Sequence, residues 1–209
     1  MDDDFHKPAL FGGAEFEAFQ GGEDPATVLR AAHDTARMLV ARARTDDDPG
    51  IVDRLVHYTD DHGIDALAEL WARSAPHSLP GALWRIYLVR VMIRQDPDGV
   101  ALLFQRGAEV LSTIDPVVAG APLPAGPQEV SDLADRILRG VFDGDFAIAL
   151  ERAAAFCRVT AAGALSVADD QDAVSPERAS DLTTRAQRLA ITADELAACA
   201  RMSRAETLD

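Results

Sequence analysis

Asp53, His57, Asp60 and Asp61 come nearest, by type and spacing, to a chemical site. On a helix they stand at i, i+4, i+7 and i+8 and share one face, and a histidine with carboxylates one turn away can hold a divalent metal, as a hydrolase would use it. His62 follows just beyond. The same face lies opposite Ile51, Leu55 and Val56, where charges belong on any amphipathic helix, so solvation alone accounts for it. His57, with its pKa raised by these carboxylates, would also serve as a sensor of acidity.

His33-Asp34 resembles the HD dyad of metal-dependent phosphohydrolases, but the further His and Asp ligands of such helical sites are not recognisable in order or spacing. No GxSxG turn, GxGxxG or GxxxxGK[ST] loop occurs. Cys157 and Cys199 lack a CxxC spacing and fall on the apolar sides of predicted helices, which makes them buried, reduced thiols. No cofactor is implied beyond a divalent metal on the Asp53 face.

Two further groups could bind a partner. Arg90 and Arg94 stand one turn apart in LPGALWRIYLVRVMIRQD, with Tyr87 on an adjoining face. Paired with acidic residues such as Asp96 or Asp98 they are structural; lining a pocket, they would take an anionic ligand or an acidic motif. Phe5, Phe11, Phe16 and Phe19 fall within residues 1–23, where Gly12-Gly13 and Gly21-Gly22 flank AEFEAFQ. These rings either dock on the domain's own surface or form a short linear motif for a partner's groove.

The elements that must position these groups read as helices throughout. Leu79 to Gln95 is apolar on almost every side, with Ser78 as cap, Pro80 in the first turn and Asp96-Pro97 as stop, which predicts a buried central helix. Asp24-Pro25 opens a helix to about Arg44, and Pro49 to His62 forms a second, stopped by Gly63. Ile64, Leu67, Ala68 and Trp71 mark a shorter one. Val100, Phe104, Gly107, Ala108 and Leu111 form a stripe whose small residues permit close helix contact. Residues 114–127, rich in proline, predict an extended stretch that either divides two lobes or crosses the surface of one bundle. Val130 to Phe142 is helical. Phe146, Leu150, Ala153, Cys157, Thr160 and Ala164 recur with a seven-residue pattern that suits an interior contact or a dimer seam. A helix from Pro176 to about Ala190 and a last one opened by the Thr192/Glu195 capping box complete an all-α bundle of about eight helices, residues 24–209, behind the aromatic segment.

The end of the chain, ITADELAACARMSRAETLD, resembles the start of a helix-turn-helix of bacterial transcription regulators. Glu195-Leu196-Ala197 would begin its first helix, Met202 would occupy the turn and Ser203-Arg204 would open the recognition helix. The match departs at the turn, which has no glycine, and only Arg201 and Arg204 could reach phosphate, so a plain terminal helix with a frayed end is expected.

Charge narrows the partners. A formal charge of -15 and a pI near 4.6 oppose nucleic acid and acidic membranes, and no apolar run approaches a membrane span. Lys7 is the sole lysine among 20 basic residues, a composition of GC-rich bacterial genomes. The expectation is a cytoplasmic, non-enzymatic interaction or regulatory protein that binds a protein partner or itself. A metal-dependent hydrolase using the Asp53/His57 face and a transcription-associated factor acting through protein contacts are the alternatives.

Overall fold

Ser78 accepts a hydrogen bond from the Gly81 N–H at 3.2 Å, and Asp96 accepts one from Gly99 at 2.9 Å. Asp24 does the same for Ala26 at 3.1 Å, and Asp145 for Ile148 at 3.2 Å. Each side-chain oxygen satisfies one of the N–H groups that a first helical turn leaves without a partner. At Asp24 and Asp96 a proline follows directly, with its φ already set for the helix.

The computed structural model describes residues 24–45, 70–143 and 145–209. In chain order these form α1 (Pro25–Thr45), a helical end at 70–72, α2 (Leu79–Gln95), α3 (Pro97–Val110), α4 (Asp115–Ala119), α5 (Pro127–Asp143), α6 (Phe146–Gln171) and α7 (Pro176–Arg204). No strand occurs among the described residues, and the protein is an all-α bundle. No described helix is long and apolar enough to cross a membrane. The predicted helix over residues 49–62, with Asp53, His57, Asp60 and Asp61, and the segment holding Phe5, Phe11, Phe16 and Phe19 lie outside the described residues.

The deepest enclosure falls on α6, which packs most extensively against α7 and α3. Its seven-residue stripe is buried along its whole length, from Phe146 through Leu150, Ala153, Cys157 and Thr160 to Ala164. The stripe is therefore an interior contact, occupied by the chain's own helices and closed to a second copy. Alanine and glycine allow this: α3 approaches so closely that a Cβ added to Gly107 would sit 1.8 Å from the Val159 carbonyl oxygen. Beside this crossing Phe104 and Phe156 stack with ring centroids 5.3 Å apart, both fully buried.

Helix α2 contributes Leu83, Ile86, Val89 and Ile93 to the core. It is not apolar all round for want of water, however: Leu88 is 43% exposed, and Trp84, Tyr87, Val91 and Met92 are half-buried. Helices α1, α5 and α7 cover parts of its circumference and leave this stripe at the surface.

Three local expectations are revised. The segment 114–127 holds a helix, α4, closed by Gly120 in the left-handed conformation at φ 79°, which a residue without Cβ adopts without strain. Buried residues on both sides of it, such as Phe104 and Leu133, belong to one continuous core. Helix α7 runs unbroken where two helices were expected. The Thr192 hydroxyl donates to the Arg188 carbonyl at 2.9 Å, a bond made inside a helix, while Glu195 reaches across to Arg85. Leu189, Ala193, Leu196 and Ala200 pack continuously through this point, and Met202 is helical, so the turn of a helix-turn-helix is absent. Residues 205–209 also fold back: Asp209 accepts the Leu79 N–H at 2.8 Å, its carboxylate pairs with Arg37, and Leu208 packs against the core.

Candidate functional site

Helices α2 and α7 run antiparallel, with Arg85 paired to Glu195 at one end. Further along, Leu88, Val89 and Met92 face Arg185, Arg188, Leu189 and Thr192 across a groove of about 260 Å³. The α7 residues stand at i, i+3, i+4 and i+7, one face of a helix. Buried Val89 and Leu189 form the floor, Met92 is half-buried, and Leu88 stands at the exposed lip. The side chains of Arg185 and Arg188 make no ion pair or hydrogen bond with any described residue. The groove thus joins an apolar floor to cationic side chains that have no ion pair among the described residues, on a protein of net charge -15.

The arginines singled out from the sequence face elsewhere. Arg90 is 5% exposed, and its Nε donates to Asp135 Oδ1 at 3.2 Å; Arg94 donates to the same oxygen at 3.3 Å. Asp135 lies on α5, so the carboxylate that both arginines meet comes from another helix, while Asp96 caps α3. An anion at Arg90 and Arg94 would have to compete with this carboxylate. Tyr87 is half-buried and stacks on Trp84, 5.7 Å between centroids.

The two thiols are enclosed. Burial pushes Cys157 up to about 12, with Arg158 opposing, and Cys199 is raised by burial as well. The Cys199 Sγ–H lies 3.4 Å from the Pro76 carbonyl oxygen. Thiols held in the protonated form are poor nucleophiles. Among the described residues no group of three His, Cys, Asp or Glu could hold a metal ion.

Ion pairs fasten the remaining helices. Glu151 on α6 takes a forked contact from Arg204, which holds its carboxyl below the ordinary value. Asp115 at the start of α4 accepts from Arg158 on α6 at 2.8 Å and from the Thr113 hydroxyl at 2.8 Å. Burial alone would raise its pKa; the hydrogen bonds from Arg158 and Thr113 and the arginine's charge outweigh it and hold the carboxyl below its usual 3.8. A depressed folded value stabilises the fold at pH above the unfolded value, and this is lost as pH falls through the folded one. Asp115→Asn should therefore lower the unfolding midpoint near about pH 6, and the gap to wild type should close as pH drops from about 4 to about 2. A gap that stays constant over that range would show that the carboxylate charge is not what fastens α4.

Two other cavities are lined less selectively. One, of about 290 Å³, lies between α1 and residues 70–74, beside the buried Ser74 hydroxyl, which has no partner among the described residues. The other, of about 510 Å³, is a polar hollow near Asp169, Asp172 and Thr183 at the α6–α7 turn. Sequence reading missed the groove between α2 and α7. Its one signal is the spacing of Arg185 and Arg188 beside Leu189, which puts two cations on the edge of an apolar face. No protein-family model matches the sequence, and neither a curated protein nor a solved structure matches the chain.

Proposed function

We propose that this is a non-enzymatic, cytoplasmic interaction protein with a regulatory role, and that the α2–α7 groove is its working surface. The observation that carries the reading is the union of an open apolar floor with Arg185 and Arg188, which have no charge partner among the described residues. Arginine beside an exposed apolar cleft suits recognition of an acidic segment with bulky side chains, because the apolar groups supply affinity and the charges select and steer. The free, buried cysteines accord with a reducing compartment.

Leu88→Glu places a like-for-like repulsive charge at the lip of such a site and, at an exposed position, should leave stability within ~0.5 kcal/mol. Full-length tagged wild type, Leu88→Glu and a control, Val174→Glu at an 82% exposed position of the α6–α7 turn, are compared by capture from native lysate. The expected result is a protein retained by wild type and by the control and lost with Leu88→Glu. Identical captures from wild type and Leu88→Glu would remove the groove as the working surface.

A further inference from the structure

The groove calls for an occupant that is acidic and carries large apolar side chains, and residues 1–23 of this same chain have that chemistry. They contain Asp2, Asp3, Asp4, Glu15, Glu17 and Glu23 against the single basic residue Lys7, and four of the eight phenylalanines. In AEFEAFQ, Phe16 and Phe19 alternate with Glu15 and Glu17, so ring and carboxylate arrive together. Arginine answers both, by paired hydrogen bonds to a carboxylate and by stacking on an aromatic face. Arg85, Arg90, Arg106, Arg158 and Arg204 each have a carboxylate partner; the side chains of Arg185 and Arg188, at the apolar groove between α2 and α7, have none among the described residues.

We infer that the acidic, phenylalanine-bearing residues 1–23 dock in cis on the α2–α7 groove, with Phe16 and Phe19 on its floor and Glu15 and Glu17 at Arg185 and Arg188. The inference rests on the groove being the working surface and adds its regulation: a partner with the same acidic and aromatic chemistry gains the groove by displacing the chain's own segment. Tethering favours this. The segment is joined directly to α1, which packs on α2. Twenty-three residues reach about 75 Å when extended, whereas a folded domain of this length is about 43 Å across. Attachment to the same body gives a local concentration of millimolar order, so a modest intrinsic affinity suffices for occupancy.

The test uses the full chain bearing Ala18→Cys and Thr192→Cys, which keeps both phenylalanines and places one thiol at the groove; the native cysteines are buried. Under mild oxidation the monomer should form an internal disulfide roughly tenfold faster than a chain with Ala18→Cys and Val174→Cys, since docking concentrates the two thiols. Arg185→Glu with Arg188→Glu should abolish that advantage, and adding Glu15→Arg with Glu17→Arg should restore it. Rates equal to the control pair, or unchanged by the charge reversal, would overturn the inference. A disulfide-linked dimer in place of the internal bond would overturn it as well, by giving the groove to a second copy. Cross-linking reads groove occupancy with no partner present, whereas the capture comparison with Leu88→Glu reads partner binding, so each can fail without the other.

Discussion

Replacing Gly107 with alanine should lower the unfolding midpoint by roughly 6 to 12 °C, the equivalent of about 3 kcal/mol in a chain of this size. The added Cβ would stand 1.8 Å from the Val159 carbonyl oxygen and 2.7 Å from its carbon, and a Cβ on Gly163 would stand 1.8 Å from the Leu103 carbonyl oxygen. Both obstacles are backbone, so no side-chain rotation relieves them and α3 must move away from α6. That movement opens the layer beside the crossing where Phe104 stacks on Phe156. Gly140→Ala is the control. Its Cβ would meet only the Ala149 Cβ, at 3.3 Å, and alanine gains up to ~1 kcal/mol of helix propensity over glycine, so the midpoint should hardly fall. Gly107→Ala together with Gly163→Ala should cost less than the sum of the two, because one separation of the helices accommodates both methyl groups. A midpoint for Gly107→Ala within about 2 °C of wild type would show that the crossing is loose, since even 1 kcal/mol moves a chain of this length by about that much.

This crossing was legible in the sequence because it depends on residue size within one helix. Gly107 and Ala108 interrupt the Val100–Phe104 stripe, and the alanines of α6 mark a face on which a neighbour can lie close. Helix starts were legible for the same local reason, as Ser78, Asp96 and Asp24 show. What escaped depends on which helices meet. Periodicity says that α2 is apolar on nearly every side, but not that only some of those sides find a neighbour, so Trp84, Tyr87 and Leu88 were expected inside. Arg90 and Asp135 are 45 residues apart, and only the packing of α2 on α5 selects that carboxylate over the nearby Asp96. Thr192 and Glu195 satisfy a capping pattern and are used otherwise, because continuous packing of Leu189, Ala193 and Leu196 carries α7 through them. The groove is hidden twice over: one wall comes from each of two helices some 100 residues apart, as the Arg85–Glu195 separation of 110 residues illustrates.

Asp135→Ala should destabilise the fold by about 2 to 3 kcal/mol, or roughly 4 to 12 °C. The reason is Arg90. It is 5% exposed and cannot shed its proton, so removing the Asp135 carboxylate takes a carboxylate contact away from a cation in a site that water barely reaches. Loss of one partner of a fully buried pair costs about 3 to 5 kcal/mol, and the lower figure here reflects the 27% exposure of the Asp135 side chain. Arg94→Ala should cost less than ~0.5 kcal/mol, because that side chain is 45% exposed and its ion pair is screened. Adding Arg90→Met to Asp135→Ala should then recover part of the loss: methionine retains the apolar stem that packs in the core and removes the buried charge whose Asp135 contact is gone. Unfolding midpoints of the three variants and the wild type decide the matter. If Asp135→Ala proves no worse than Arg94→Ala, or if Arg90→Met deepens the loss, the contact between α2 and α5 is held by shape alone and the buried charge contributes nothing to choosing which helices meet.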